Sequence, residues 1–207
     1  MGRKLPPVPM ASIATLTGYA CDGIDGRDWY KHATAQIDFV ANAEGWDCDE
    51  FAGVLATTSP RCSVLRNIRM SLHFMKHRDL RVVPMKSVRK SVRNFLDGNG
   101  ISGQKTRAFY NNLSGRYDYV TLDVWMAYAL GIDQTDFNKL ATRAEATRRV
   151  VRVARRLRIE PAAAQAAIWT GYRRRKGHSD STFDVVREYL TARDNGWDIV
   201  GCSVDRE

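Results

Sequence analysis

The sequence has no cysteine pair in a CxxC spacing, no run of eighteen apolar residues and almost no alternation of apolar and polar residues. The lack of a CxxC pair argues against a zinc site or an iron–sulfur cluster, so we expect no metal, no cofactor and reduced thiols. The lack of a long apolar run argues against a transmembrane segment, and the lack of alternation argues against a β-sheet. The sequence therefore predicts an all-α protein, soluble and intracellular, in the cytoplasm or nucleoid. The cysteines in question are Cys21, Cys48, Cys62 and Cys202.

Acidic residues are outnumbered by basic ones, 23 to 32, and both are unevenly distributed along the chain. The chain of 207 residues has a net charge of +9 and a pI near 9.6, which favours a polyanionic partner, nucleic acid first and an anionic membrane surface second. Residues 20–50 carry eight acids, whereas residues 61–107 carry twelve Lys/Arg and residues 143–176 carry eleven. We expect the acidic segment to face away from the polyanion and the two basic segments to flank one groove.

Helical spacing of apolar residues recurs along most of the chain and predicts three regions. Residues 1–28 form an arm containing Pro6, Pro7 and Pro9 and a short helix, residues 29–177 form the core, and residues 178–207 form a last helix and a tail. A length of 207 residues allows one domain of two lobes. The helices are predicted at residues 11–19, 29–43, 50–57, from 64 onward, 87–96, 104–113, 124–130, 143–158, 161–172 and from 185 onward, the last with a capping box of Ser181 and Asp184.

A glycine-rich turn at residues 98–103 separates two of these helices, and chemistry-bearing residues follow it. Lys105 comes just after the turn, and Asp123 opens the next apolar run eighteen positions later. A lysine amine can attack a sugar C1′ as a base departs, and a carboxylate can stabilise the positive charge that develops on the sugar. The pair therefore suggests chemistry on DNA.

The segment Phe95–Leu113, FLDGNGISGQKTRAFYNNL, resembles the helix-hairpin-helix of DNA glycosylases of the endonuclease III superfamily (HhH-GPD), whose hairpin ends in a Gly-x-Lys-Thr step. That step is Gly103-Gln104-Lys105-Thr106 here. The stretch Val120–Ile132 is similar to the family segment in which an aspartate opens the helix after the hairpin, and Asp123 takes that place. The spacing of eighteen residues also matches the family. The four-cysteine cluster of many relatives is absent, as in compact forms carried by bacteriophages.

The resemblance implies a two-lobed helical fold, with the hairpin at about residues 86–113 and an active cleft between the lobes. It further implies a monomer that binds double-stranded DNA, flips a modified or damaged base into the cleft and cuts its N-glycosidic bond. By the same resemblance Lys105 is the nucleophile of a coupled AP-lyase step through a Schiff base, and Asp123 assists. For a phage protein the location would be the host cytoplasm.

Contacts to DNA are expected from the turn and from the basic helices. Backbone amides of the turn would bind a phosphate, since glycine permits close approach. Where relatives place a glutamine that fills the gap left by the flipped base, this chain offers Thr58, and Trp125 stands two positions after the aspartate, where relatives often have histidine; both are candidates for the base pocket or the wedge. The predicted DNA contacts are Gly100, Ser102, Gly103, Gln104, Arg107, Arg148, Arg152 and Arg173, the last within a proposed phosphate clamp of residues 173–176.

Simpler explanations stay open for most of these residues. Lys105 alone would be an ordinary solvated lysine, Asp123 a helix N-cap, and the arginines of residues 143–158 a solvated face. His73 and His77 lie one helical turn apart but lack a third ligand, which argues against a metal. Two alternative functions also remain: a non-catalytic DNA-binding module, and a related enzyme that acts on nucleosides or hypermodified bases.

Overall fold

The computed structural model describes residues 9–178 and 183–198. The predicted arm at residues 1–8, Ser181 and Cys202 lie outside these ranges. The described residues form ten α-helices and no strand, as the sequence predicted. The helices are α1 (Ile13–Asp22), α2 (Trp29–Glu44), α3 (Cys48–Thr58), α4 (Val64–His77), α5 (Lys86–Leu96), α6 (Gln104–Leu113), α7 (Val124–Leu130), α8 (Leu140–Leu157), α9 (Pro161–Arg175) and α10 (Val185–Asp194).

Local signals place most helix ends where the sequence predicted them. Asp47 and Ser63 accept hydrogen bonds from amides in the first turns of α3 and α4, and Gly131 ends α7 in the left-handed conformation with φ 72°. Several predicted bounds differ by two or three residues: α1 spans Ile13–Asp22 and not 11–19, α3 begins at Cys48 and not at residue 50, and α8 begins at Leu140 and not at residue 143. Two further differences concern α9 and α10. Helix α9 continues through Arg175, because arginine is a good helix former. Asp184 is itself the N-cap of α10, accepting from the amide of Arg187 at 3.0 Å.

The chain divides into two compact units. The first comprises the described residues of Met1–Tyr30 and Tyr117–Asp180, and the second those of Lys31–Arg116 and Ser181–Glu207. None of the helices within the described ranges combines the length and the apolar character that crossing a membrane requires.

In the first unit α9 is the central helix and packs against α1, α7 and α8. Its sequence is unusually rich in alanine, and residues such as Ala164, Ala167 and Ile168 are fully buried. Small side chains let α1 approach closely: a Cβ added at Gly171 would lie 1.9 Å from the carbonyl oxygen of Tyr19. The core is completed by Leu16 of α1 and by apolar residues of α7 and α8.

In the second unit α3 is the central helix, buried from Phe51 to Thr58. It packs against α4, α5 and α6. Val88 and Val92 of α5 are buried. The ring of Phe95, also in α5, lies against Gly53 of α3, so closely that a Cβ added at Gly53 would lie 2.0 Å from the ring. Leu96, the last residue of α5, is 39% exposed. This packing fixes the end of α5 and therefore the start of the turn that follows it.

Candidate functional site

The turn between α5 and α6 is built by glycines and held by two side chains. Gly98, Gly100 and Gly103 have φ values of 76°, 73° and 84°, which only glycine adopts without strain. Between them Ile101 is 7% exposed and anchors the turn in the second unit. The guanidinium of Arg107 donates from Nε and Nη2 to the carbonyl oxygen of Ile101, at 3.3 and 3.2 Å. Arg107 thus closes the turn, a role that the sequence did not predict.

Several backbone amides of this turn face away from protein acceptors. Within the described part of the chain, the amides from Gly100 to Gly103 donate no hydrogen bond. The first amide of α6 with a helical acceptor is that of Arg107, which donates to the carbonyl of Gly103 at 3.0 Å. The preceding amides, including that of Lys105, are therefore without an intrahelical partner, as at every helix start. Donors in this arrangement, at the positive end of a helix dipole, suit a phosphate oxygen.

Lys105 lies in the first turn of α6, as predicted, and is partly buried, whereas Ser102, Gly103 and Gln104 are exposed. One helical turn later in α6, Tyr110 donates to the carboxylate of Asp49 and packs edge-on against Phe95, with ring centres 5.8 Å apart. Burial, and then the hydrogen bond to Asp49, raises the pKa of the Tyr110 phenol. Tyr110 therefore belongs to the packing of the second unit.

Asp123 is the N-cap of α7, and its two carboxylate oxygens are held differently. Oδ1 accepts from the amide of Met126 at 2.9 Å, which caps the helix. Oδ2 accepts from the indole Nε1 of Trp169, in α9, at 3.0 Å. The carboxylate is partly buried. These two donors fix the plane of the carboxylate and stabilise its charged form.

An aromatic cluster surrounds this carboxylate. The guanidinium of Arg173 lies 4.4 Å from the ring centre of Trp169 and 5.0 Å from that of Trp125, within the range of favourable cation–π contacts. The His178 ring packs edge-on against Trp125 at 4.7 Å. We call Asp123, Trp125, Trp169 and Arg173 the Asp123 cluster. The sequence predicted three of its four members. It did not predict Trp169, because a contact between residues 46 positions apart cannot be recognised from the local sequence.

A double-mutant cycle should detect the bond between Trp169 and Asp123. Trp169→Phe removes the donor, and Asp123→Ser removes the acceptor while keeping an N-cap oxygen. We expect a coupling free energy of about 1 kcal/mol or more, since hydrogen bonds to charged groups contribute more than neutral ones. Urea unfolding of the four proteins measures it. If the changes in unfolding free energy of the two single variants add up to that of the double variant within about 0.3 kcal/mol, the bond contributes nothing to stability.

Thr58 does not fit the predicted role as a wedge. Its side chain is 1% exposed, and its hydroxyl lies 2.6 Å from Asn67 Oδ1 and 2.9 Å from Ser71 Oγ. Asn67 in turn donates to the carbonyl of Leu55 at 3.0 Å. A group that enters a duplex must be exposed, so the wedge alternative for Thr58 is wrong: Thr58 joins the C-terminal end of α3 to α4 inside the second unit. The other alternative, that Thr58 belongs to the base pocket, stays a prediction.

Ion pairs neutralise part of both basic segments, contrary to the expectation that the acidic segment simply faces away. In the first unit Arg174 pairs with Asp25 at 2.7 Å and Arg175 pairs with Asp22. These pairs, together with the indole contacts of Arg173, engage three of the four cations proposed as a phosphate clamp. In the second unit acids of residues 44–50 pair with Lys76, Arg78 and Arg116. Four of the eight acids of residues 20–50 thus pair with cations of the two basic segments: Asp22, Asp25, Glu44 and Glu50.

On α8 the arginines do face solvent as predicted. Arg148, Arg152, Arg155 and Arg156 are exposed opposite the buried Val150, Val153 and Ala154. Arg148 pairs with Glu145 at 2.9 Å, three residues earlier on the same helix. Exposed pairs of this kind are weak, so the pair with Glu145 does little to hold Arg148. That Arg148 and Arg152 contact DNA stays a prediction.

The described residues contain no group of three or more His, Cys, Asp or Glu side chains arranged to hold a metal ion. His73 and His77 pack with ring centres 4.6 Å apart. Burial, and then the neighbouring His77, lowers the pKa of His73. Cys21, Cys48 and Cys62 carry free thiols.

Most of the predicted site residues thus fall into two local groups, and the others are Thr58 in α3 and Arg148 and Arg152 in α8. Gly100, Ser102, Gly103, Gln104, Lys105 and Arg107 come together at the α5–α6 turn of the second unit, and Asp123, Trp125 and Arg173 come together at the start of α7 in the first unit.

A protein-family model described as "Family of unknown function (DUF7178)" matches residues 18–176. No curated protein and no solved structure matches the chain.

Proposed function

We propose that the chain, which belongs to the DUF7178 family of unknown function, is a DNA glycosylase that flips a modified or damaged base out of a duplex and cuts its N-glycosidic bond. The observation that carries the proposal is the α5–α6 turn. It combines amides without protein acceptors from Gly100 to Gly103 with a lysine in the first turn of the next helix. A helix-hairpin-helix would hold a phosphate and present a nucleophile in this way.

Asp123 supports the same chemistry from the first unit. Its carboxylate is partly buried and is held by the Met126 amide and the Trp169 indole. A fixed negative charge stabilises the oxocarbenium-like sugar that develops as the bond between C1′ and the base nitrogen breaks. The electron pair of that bond leaves with the base.

Lys105 then provides a route to strand cleavage. Its amine lone pair attacks C1′, and loss of the bond between C1′ and the ring oxygen gives a protonated Schiff base. Removal of a C2′ proton and departure of the 3′ phosphate break the strand, and hydrolysis of the Schiff base regenerates the amine. In this proposal no metal or cofactor takes part.

Base release from defined duplexes tests this function. Duplexes that each contain one oxidised, alkylated or phage-type modified base are incubated with the protein, and mass spectrometry identifies any free base. We expect release of at least one base from duplex DNA and none from the corresponding free nucleoside. Release from the nucleoside as well would indicate the related enzyme that needs no duplex.

One observation favours a second function. Both oxygens of Asp123 accept hydrogen bonds that stabilise the first unit, so a purely structural role would also explain this residue. The corresponding candidate is a non-catalytic DNA-binding module that uses the turn and the basic faces. It would bind duplex DNA in a salt-dependent way but release no base from any duplex.

A further inference from the structure

Half of the cations in residues 61–107 are already engaged within the second unit. Arg89 donates to the carbonyl oxygens of Val83 and Pro84, and Arg107 donates to that of Ile101. The others form ion pairs: Arg69 with Glu188, Lys76 with Glu44, Arg78 with Glu50, and Arg81 with Asp79. The cations that remain are therefore the ones available to a partner.

Three of the remaining cations lie on one line of α5. Lys86, Lys90 and Arg93 follow the spacing i, i+4, i+7, which places them on one helix face over about 10 Å. All three are exposed, and within the described residues their charged groups form no ion pair or hydrogen bond. The opposite face of α5 is fixed, because Val88 and Val92 are buried. We call Lys86, Lys90 and Arg93 the α5 cationic line.

The α5 cationic line leads toward the turn. Arg93 lies in the last turn of α5, and five residues later the glycine-rich turn begins, with its free amides from Gly100 to Gly103. Both features attract the same ligand, a run of phosphates. The line itself contains no apolar residue. A helix that lies in a membrane surface needs an exposed apolar face, whereas Val88 and Val92 of α5 are buried and Leu96 is the one exposed apolar residue of this helix.

We propose that the α5 cationic line is a second DNA-binding surface, which contacts the phosphate backbone of duplex DNA beside the strand held by the α5–α6 turn. This inference rests on the proposed function, because it takes duplex DNA as the partner. Lysine and arginine on an exposed helix face neutralise phosphates without contacting base edges. The surface therefore contributes affinity and leaves the choice of base to other residues.

The salt dependence of binding to an unmodified duplex of about 20 base pairs, followed by fluorescence anisotropy, tests this surface. The test variant is Lys86→Gln/Lys90→Gln/Arg93→Gln. The matched control is Arg27→Gln/Arg81→Gln/Lys139→Gln. It also removes three positive charges, each from a surface ion pair, with Asp28, Asp79 and Asp136 respectively. We expect the test variant to lower the slope of log K against log salt by about 2 to 3, at roughly 0.9 per lost contact, and the control to change it by less than about 1.

Equal slope changes in the two variants, or no change in the test variant, would overturn the proposal while leaving base excision untouched. A wild-type protein that does not bind the duplex would overturn both this surface and the proposed function.

Binding to vesicles of phosphatidylserine and phosphatidylcholine is measured in parallel. If the test variant loses only vesicle binding, the α5 cationic line is a membrane surface and the proposal is wrong. Thermal melting checks that each variant is folded. We expect both variants to fold, because glutamine is a good helix former.

Discussion

Asp123→Asn is expected to lower the rate of base release by about 10²–10³-fold, the loss typical of removing one preorganised electrostatic group. Asparagine is nearly the same size and is an equally good N-cap, so its Oδ1 can still accept from the Met126 amide. The negative charge is lost, and with it the stabilisation of the positively charged sugar. The rate of base release in a single turnover measures this loss directly.

Two controls separate this loss from a folding defect. The free energy of unfolding should change by less than about 2 kcal/mol, because the contact with the Trp169 indole is replaced by a less favourable one. Affinity for duplex DNA should not fall, since a negative charge has been removed. A variant that releases the base at the wild-type rate would show that Asp123 is only a helix cap.

Gly171→Ala is expected to destabilise the first unit by more than about 3 kcal/mol. A Cβ at this position of α9 would lie 1.9 Å from the carbonyl oxygen of Tyr19 and 2.9 Å from the amide nitrogen of Gly23. Both atoms belong to backbone, so no side-chain rotation can relieve the overlap, and α1 must move away from α9. Urea unfolding measures the change.

A matched substitution in the same pair of helices should have the opposite sign. Gly18 lies in the interior of α1, and the nearest atom to a Cβ there is the Nη2 of Arg175 at 3.6 Å, an ordinary contact. Gly18→Ala should therefore stabilise the protein by about 0.5–1 kcal/mol through helix propensity alone. If Gly171→Ala is as stable as Gly18→Ala, then α1 and α9 do not pack as closely as described.

Most of the helical fold could be predicted because its determinants are local. Asp123, Gly131 and Pro161 each mark a helix end by the chemistry of a single residue, and the periodic apolar positions of α2 are indeed buried. The close approach of α1 and α9 could not be predicted. It depends on Gly171 facing a carbonyl about 150 residues earlier, and a lone glycine in a helical pattern does not reveal its neighbour.

The candidate site divides in the same way. The turn and the two residues Lys105 and Asp123 take the local positions that the sequence predicted. What the sequence could not supply were partners from distant segments: the Trp169 indole at Asp123, and the acids that neutralise Arg174 and Arg175. The wedge alternative for Thr58 came from the place of a family glutamine, and that place does not reveal that Asn67 and Ser71 satisfy the Thr58 hydroxyl in the interior.

Borohydride trapping on a duplex with one abasic site reports the proposed bond between Lys105 and C1′ directly. Lys105→Ala is compared with wild type and with Lys139→Ala, which removes a lysine from a surface ion pair with Asp136. We expect a covalent protein–DNA adduct for wild type, an adduct that persists for Lys139→Ala, and none for Lys105→Ala. Equal trapping by wild type and Lys105→Ala, or no trapping by wild type, would contradict the proposal.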